Sequence, residues 1–90
     1  MNRIRRKQIK SIVDRLYDLN EQLEQLKSEL EEVRDEEEEA LENLPEGIRD
    51  SDKGMDMEEG LDSLSEQVDE LEYKYSDVED IINALEELIG

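Results

Sequence analysis

The sequence contains neither cysteine nor histidine. Without cysteine there is no disulfide framework and no thiol chemistry. Without histidine as well, imidazole bases and the usual zinc sites are excluded. Phenylalanine and tryptophan are absent and tyrosine occurs only three times, so the large side chains that fill a thick globular core are missing. No apolar run approaches the roughly 18 residues of a membrane span. The basic start, Met1-Asn2-Arg3-Ile4-Arg5-Arg6-Lys7, lacks the apolar segment of a secretory leader. A soluble intracellular protein, free of membrane contact, is the expectation.

What is present is charge and periodicity. Eleven basic residues face 29 acidic ones over 90 positions, a formal net charge of −18. Such a balance can signal disorder, but the apolar residues are regularly spaced. Ile9, Ile12, Leu16, Leu19, Leu23, Leu26, Leu30, Val33, Ala40 and Leu44 follow alternating steps of three and four, interrupted only at Glu37. This is the ladder of a long amphipathic helix with a narrow seam. The spacing predicts helix 1 over about residues 3–43, some 60 Å at ~1.5 Å per residue. Ile9, Leu16, Leu23, Leu30 and Leu44 take one seam position; Ile12, Leu19, Leu26, Val33 and Ala40 take the other.

Leu44-Pro45-Glu46-Gly47 is a stop, because Pro45 removes a donor and disfavours a helical residue before it. Gly47 permits a left-handed turn, and Ile48 is expected to tuck back onto the helix ends. After a connection over 44–50, Asp50 or Ser51 caps helix 2, whose first turns Gly54 and Gly60 weaken. Met57, Leu61, Leu64, Val68, Leu71, Tyr75, Val78, Ile82, Leu85 and Ile89 form its ladder over about residues 51–89. The fold class expected is all-α, a single antiparallel two-helix coiled-coil hairpin over residues 1–90. Its register places Lys27 near Glu72 and Glu37 against Leu61 or Leu64. Ile4, Val13 and Tyr17 on helix 1 and Ile81 and Leu88 on helix 2 lie off the seam. They predict a homodimer, a four-helix bundle at the end bearing the termini.

Catalytic residues are not expected. The serines at 11, 28, 51, 63, 65 and 76 have no base beside them, and carboxylates on a thin rod lack a pocket to raise a pKa. Asp50-Ser51-Asp52-Lys53-Gly54 matches a calcium loop at two positions only, so no metal site and no cofactor is expected. Charge is polarised along the chain. Arg3, Arg5, Arg6, Lys7, Lys10 and Arg15 precede everything acidic except Asp14, whereas residues 29–62 hold 16 acids and three basic residues. The basic segment either solvates a helix beside acids of another segment or is an arm that touches RNA, DNA or an acidic partner. Direct nucleic-acid binding is not expected, because the acidic remainder repels phosphate.

Glu36-Glu37-Glu38-Glu39-Ala40-Leu41-Glu42-Asn43-Leu44-Pro45-Glu46-Gly47-Ile48, with Ser51, Gly54 and Glu58-Glu59-Gly60-Leu61-Asp62-Ser63-Leu64, resembles a group of short acidic helical proteins of phages and Gram-positive bacteria. The likeness spans about residues 30–70. It implies an accessory phage-type gene and carries over no functional residue, and the basic residues 1–15 depart from it. By analogy with small acidic phage proteins that block host defence, including CRISPR nucleases, one expectation is a non-catalytic anti-defence inhibitor. It would mimic DNA or RNA and occupy the basic nucleic-acid-binding site of a host protein. The acids at issue are Glu31, Glu32, Asp35, Glu36, Glu38, Glu39, Glu42, Asp56, Glu58, Glu59 and Asp62. The alternative is a structural module that drives oligomerisation or tethers a partner helix, with charge serving solubility. No small-molecule substrate is expected under either.

Overall fold

In the computed structural model, which describes residues 1–90, the chain forms α1 (Arg3–Glu42), α2 (Glu46–Arg49) and α3 (Asp52–Ile89). The Asn2 side-chain oxygen accepts from the Arg5 amide at 2.8 Å and so opens α1. No glycine or proline interrupts the 40 residues that follow. Pro45 ends the run, but its carbonyl accepts from the amides of Ile48 and Arg49, each at 2.9 Å. The connection is therefore one helical turn. No residue has a positive φ, so Gly47 supplies no left-handed corner and simply lies in α2. Ile48 stays exposed instead of tucking in. Ser51 has the extended backbone of an N-cap, yet its hydroxyl donates back to the Ile48 carbonyl and caps nothing in α3.

Gly54 is a packing residue at the start of α3. It is buried, and a Cβ built on it would lie 1.9 Å from the Arg49 carbonyl oxygen. Only glycine lets α2 press this closely on the first turn of α3. Gly60 has open space around it.

α1 and α3 run antiparallel along a bar 69 × 14 × 14 Å in extent. Three side-chain contacts fix the register. Lys27 Nζ lies 3.8 Å from Glu72 Oε1, Asn20 Nδ2 donates to the Tyr75 carbonyl at 3.2 Å, and Tyr17 donates to Glu86. On α3 the covered row is the expected ladder from Met57 to Ile89, with Val68 and Ile82 buried.

On α1 the covered rows differ from expectation. Ile9, Leu16, Leu23, Leu30 and Leu44 are half-buried, as one seam row should be. The second row is Val13, Asn20, Lys27, Arg34 and Leu41. Ile12, Leu19, Leu26 and Val33 point to solvent at 43%, 45%, 52% and 49% exposure, and Ala40 is exposed with them. The reason is geometric. Rows three and four residues on from a shared row lie about 50° to either side of it. A ladder of threes and fours is satisfied by either flank, and α1 turns the i+4 flank inward. Val13, at 4% exposure, therefore belongs to the hairpin core and not to an outer patch. The polar members of the inward flank find partners. Asn20 bonds Tyr75, and Lys27 sits between Glu72 and Glu31, the latter at 3.5 Å. Arg34 bridges to its neighbour Asp35 at 3.1 Å. Glu37 is half-buried beside Met57, Gly60 and Leu64.

Candidate interaction surfaces

The register gives the hairpin two unlike faces. Tyr17, Asn20 and Lys27 meet Glu86, Tyr75 and Glu72 along one edge of the seam. Near the turn, Glu38, Glu42, Glu58 and Asp62 surround Arg49 on this same side. The opposite edge runs past Glu37, Lys53, Met57 and Leu64. Heptad spacing places Ile12, Leu19, Leu26 and Val33 of α1 on that opposite face, and the antiparallel register sets Leu88 beside Ile12 and Ile81 beside Leu19. Both α3 residues are about half exposed, at 50% for Ile81 and 54% for Leu88. A continuous apolar strip thus runs along α1, about 33 Å from residue 12 to residue 33, and widens onto α3 near the termini.

Of the side chains expected to mediate oligomerisation, Ile81 and Leu88 lie on this strip. Ile4 is exposed at 69%, beyond its end. Tyr17 lies on the other face, with its hydroxyl 2.5 Å from Glu86 Oε1. The accepting carboxylate, slight desolvation and the charges of Glu86, Asp14 and Glu79 together raise the Tyr17 pKa above its ordinary 10.0. Sequence reasoning missed the four α1 residues as surface. The signal was present in Asn20, Lys27 and Arg34 only as an absence of apolar character.

Ten of the eleven acids singled out are exposed; Glu31 is half-buried, held by Lys27. They radiate from both helices, and no three converge closely enough to hold a metal ion. The basic segment is also free. Arg3, Arg5, Arg6, Lys7, Lys10 and Arg15 are all exposed and none forms an ion pair within the chain.

The depressions on the bar are open and lined largely by carboxylates and amides. No helix is long and apolar enough to cross a membrane. No family model matches the chain, no curated protein is significantly similar to it, and no solved structure matches it.

Proposed function

We propose that the chain is a non-catalytic assembly module, a helical hairpin that holds another amphipathic helix against the outer row of α1. The observation that carries this is the exposure of Ile12, Leu19, Leu26 and Val33 while Asn20, Lys27 and Arg34 occupy the inner seam. Aliphatic residues repeating at a single heptad position are a helix-pairing surface. A strip of this length is larger than the isolated exposed apolar residues of ordinary surfaces.

The test is a comparison of two variants. Leu19→Asp with Leu26→Asp should abolish association while leaving the far-ultraviolet helix signal intact. Reversing Glu58 and Asp62, which lie on the side away from the strip, to Lys should leave association in place. Association that survives the first change and is lost with the second would overturn the assignment.

A second proposal concerns the turn-proximal half. Glu38, Glu42, Glu58 and Asp62 line one side there, away from the apolar strip. Carboxylates at helical spacing of about 5–6 Å on two adjacent rods can compete for a cationic nucleic-acid channel. In this role the hairpin is an acidic inhibitor of a host nucleic-acid-binding protein, and the same charge reversal removes inhibition. Both roles are compatible, since they use opposite faces.

A further inference from the structure

We propose that the occupant of the apolar strip is a second copy of this chain, laid on it end for end, so that α1 packs antiparallel against the partner's α1. This rests on the assembly role and specifies its partner and orientation. The dimer expected from the off-seam residues joined the two terminus-bearing ends; the charge pattern points to the inverted arrangement.

The strip is self-complementary about a two-fold axis near Gln22. Inversion brings together residues whose numbers sum to about 45. Ile12 then faces the partner's Val33, and Leu19 faces the partner's Leu26. On the outer flank of the strip the same axis sets Arg15 opposite the partner's Glu29, Gln8 opposite the partner's Glu36 and Gln22 opposite the partner's Gln22. An isologous interface requires this reciprocity. Aliphatic layers fill its centre, and opposite charges flank it twice.

Charge chooses between the two ways of stacking hairpins face to face. Residues 1–15 carry six basic residues against Asp14, whereas residues 29–44 carry nine acids against Arg34. Full overlap with the terminus-bearing ends together would also bring the two acidic turn ends together. Inversion lays each basic segment along the acidic run of the other copy, and none of those basic residues has an ion pair inside the hairpin. For two bodies of charge −18 each, an arrangement that interleaves the only basic segments with acid is the one that lowers repulsion. Size agrees as well. Overlap along all of α1 gives a strip about 60 Å long and ~10 Å wide, or about 600 Å² per copy, near the ~800 Å² per partner of a stable interface.

The native chain has no cysteine, so single cysteines report orientation cleanly. Sedimentation equilibrium between 1 and 100 µM (about the range over which such an interface should dissociate) should give a dimer for the native chain. It should give a monomer of unchanged helicity for Leu19→Asp. Under mild oxidation Gln22→Cys should form a disulfide with itself. Gln8→Cys should not, but should link when mixed with Glu36→Cys. Arg15→Glu should weaken the dimer about tenfold, through its two symmetric contacts, and adding Glu29→Arg should restore it. A monomeric native chain overturns the second copy as occupant. A dimer that Leu19→Asp dissolves, but in which Gln8→Cys links to itself, overturns the inverted orientation and leaves the assembly role standing. A dimer untouched by Leu19→Asp overturns both.

Discussion

Asn20→Leu should stabilise the hairpin by about 2 kcal/mol. Asn20 is 6% exposed in the seam; its Nδ2 donates to the Tyr75 carbonyl at 3.2 Å, and its Oδ1 has no partner. Removing the amide forfeits one hydrogen bond, a net loss of about 0.5–1.5 kcal/mol. It also relieves an orphaned buried acceptor, about 1–3 kcal/mol, and buries an aliphatic side chain, at most ~1.5–3 kcal/mol. Imperfect fit of the branched leucine against Tyr75 and Ile82 takes back part of that gain. At ~4–8 °C per kcal/mol for a chain of this size, the melting temperature should rise by about 10 °C. Thermal and urea unfolding followed by circular dichroism at one fixed chain concentration would measure it, since association alters apparent stability. The same variant should tolerate a shifted register more easily, because a polar residue in a seam penalises every pairing that leaves it unbonded. An unchanged or lower melting temperature would refute the reasoning and mean that Oδ1 is satisfied in solution.

Three other outcomes follow from single contacts. Gly54→Ala should cost about 1–3 kcal/mol in urea unfolding, because the new methyl meets the Arg49 carbonyl at 1.9 Å and α2 must move; Gly60→Ala, with open space around it, should instead stabilise α3 by up to ~1 kcal/mol. Ile82→Ala should cost about 2–4 kcal/mol, since its side chain is 2% exposed at the most covered point of the seam; a loss under half that would mean the seam rearranges around it. The Tyr17–Glu86 bond should make stability fall in alkali. The folded pKa of Tyr17 is raised above its ordinary 10.0, chiefly by donation to Glu86, so its contribution is whole below about pH 10 and disappears as pH climbs through the higher folded value. Absorbance at about 295 nm, read as native minus Tyr17→Phe, should show Tyr17 ionising at lower pH in Glu86→Ala; identical titrations would dismiss the bond.

Two helices, their antiparallel course and the Lys27–Glu72 level were legible because they depend on period, breaker position and chain length. Pro45 marks the break whatever turn follows it. The rotation of α1 was not legible. Ile9, Leu16, Leu23 and Leu30 fit a seam on either flank, and hydropathy prefers the flank with Ile12, Leu19, Leu26 and Val33. The choice made in the fold depends on contacts between distant residues: Val13 and Leu41 both bury fully at opposite ends of the other flank, and Tyr17, Asn20 and Lys27 each find a partner on α3. None of these follows from local pattern. The turn was misread for the opposite reason. Gly47 sat where a left-handed residue is common, yet Gly54, seven residues on, carries the steric demand through a contact with Arg49.

The rotation itself argues that one hairpin is an incomplete unit. Turning α1 by about 50° would exchange Asn20, Lys27 and Arg34 in the seam for Leu19, Leu26 and Val33. In an isolated hairpin, that exchange would bury three aliphatic side chains and free one orphaned amide oxygen while trading Val13 for Ile12 and Leu41 for Ala40, a net gain of about a few kcal/mol by ordinary transfer values. The bonds given up are modest: Lys27–Glu72 is a largely exposed pair of the kind that contributes about 0–1 kcal/mol, and Asn20 loses its one bond, to the Tyr75 carbonyl. A monomer that bore its stronger row outward would therefore be leaving stability unused. The two rows are reconciled once a second helix covers the outer one. Val13, Asn20, Lys27, Arg34 and Leu41 then serve the intramolecular contact, where partners of defined chemistry set the register. Ile12, Leu19, Leu26 and Val33 serve the intermolecular one, where only area and reciprocity are required. The shared row of Ile9, Leu16, Leu23 and Leu30, half-buried in the hairpin, lies between both and would be closed off by the second contact. On this account Leu23→Ala, at the centre of both seams, should weaken hairpin and assembly together, whereas Leu26→Ala should weaken assembly alone.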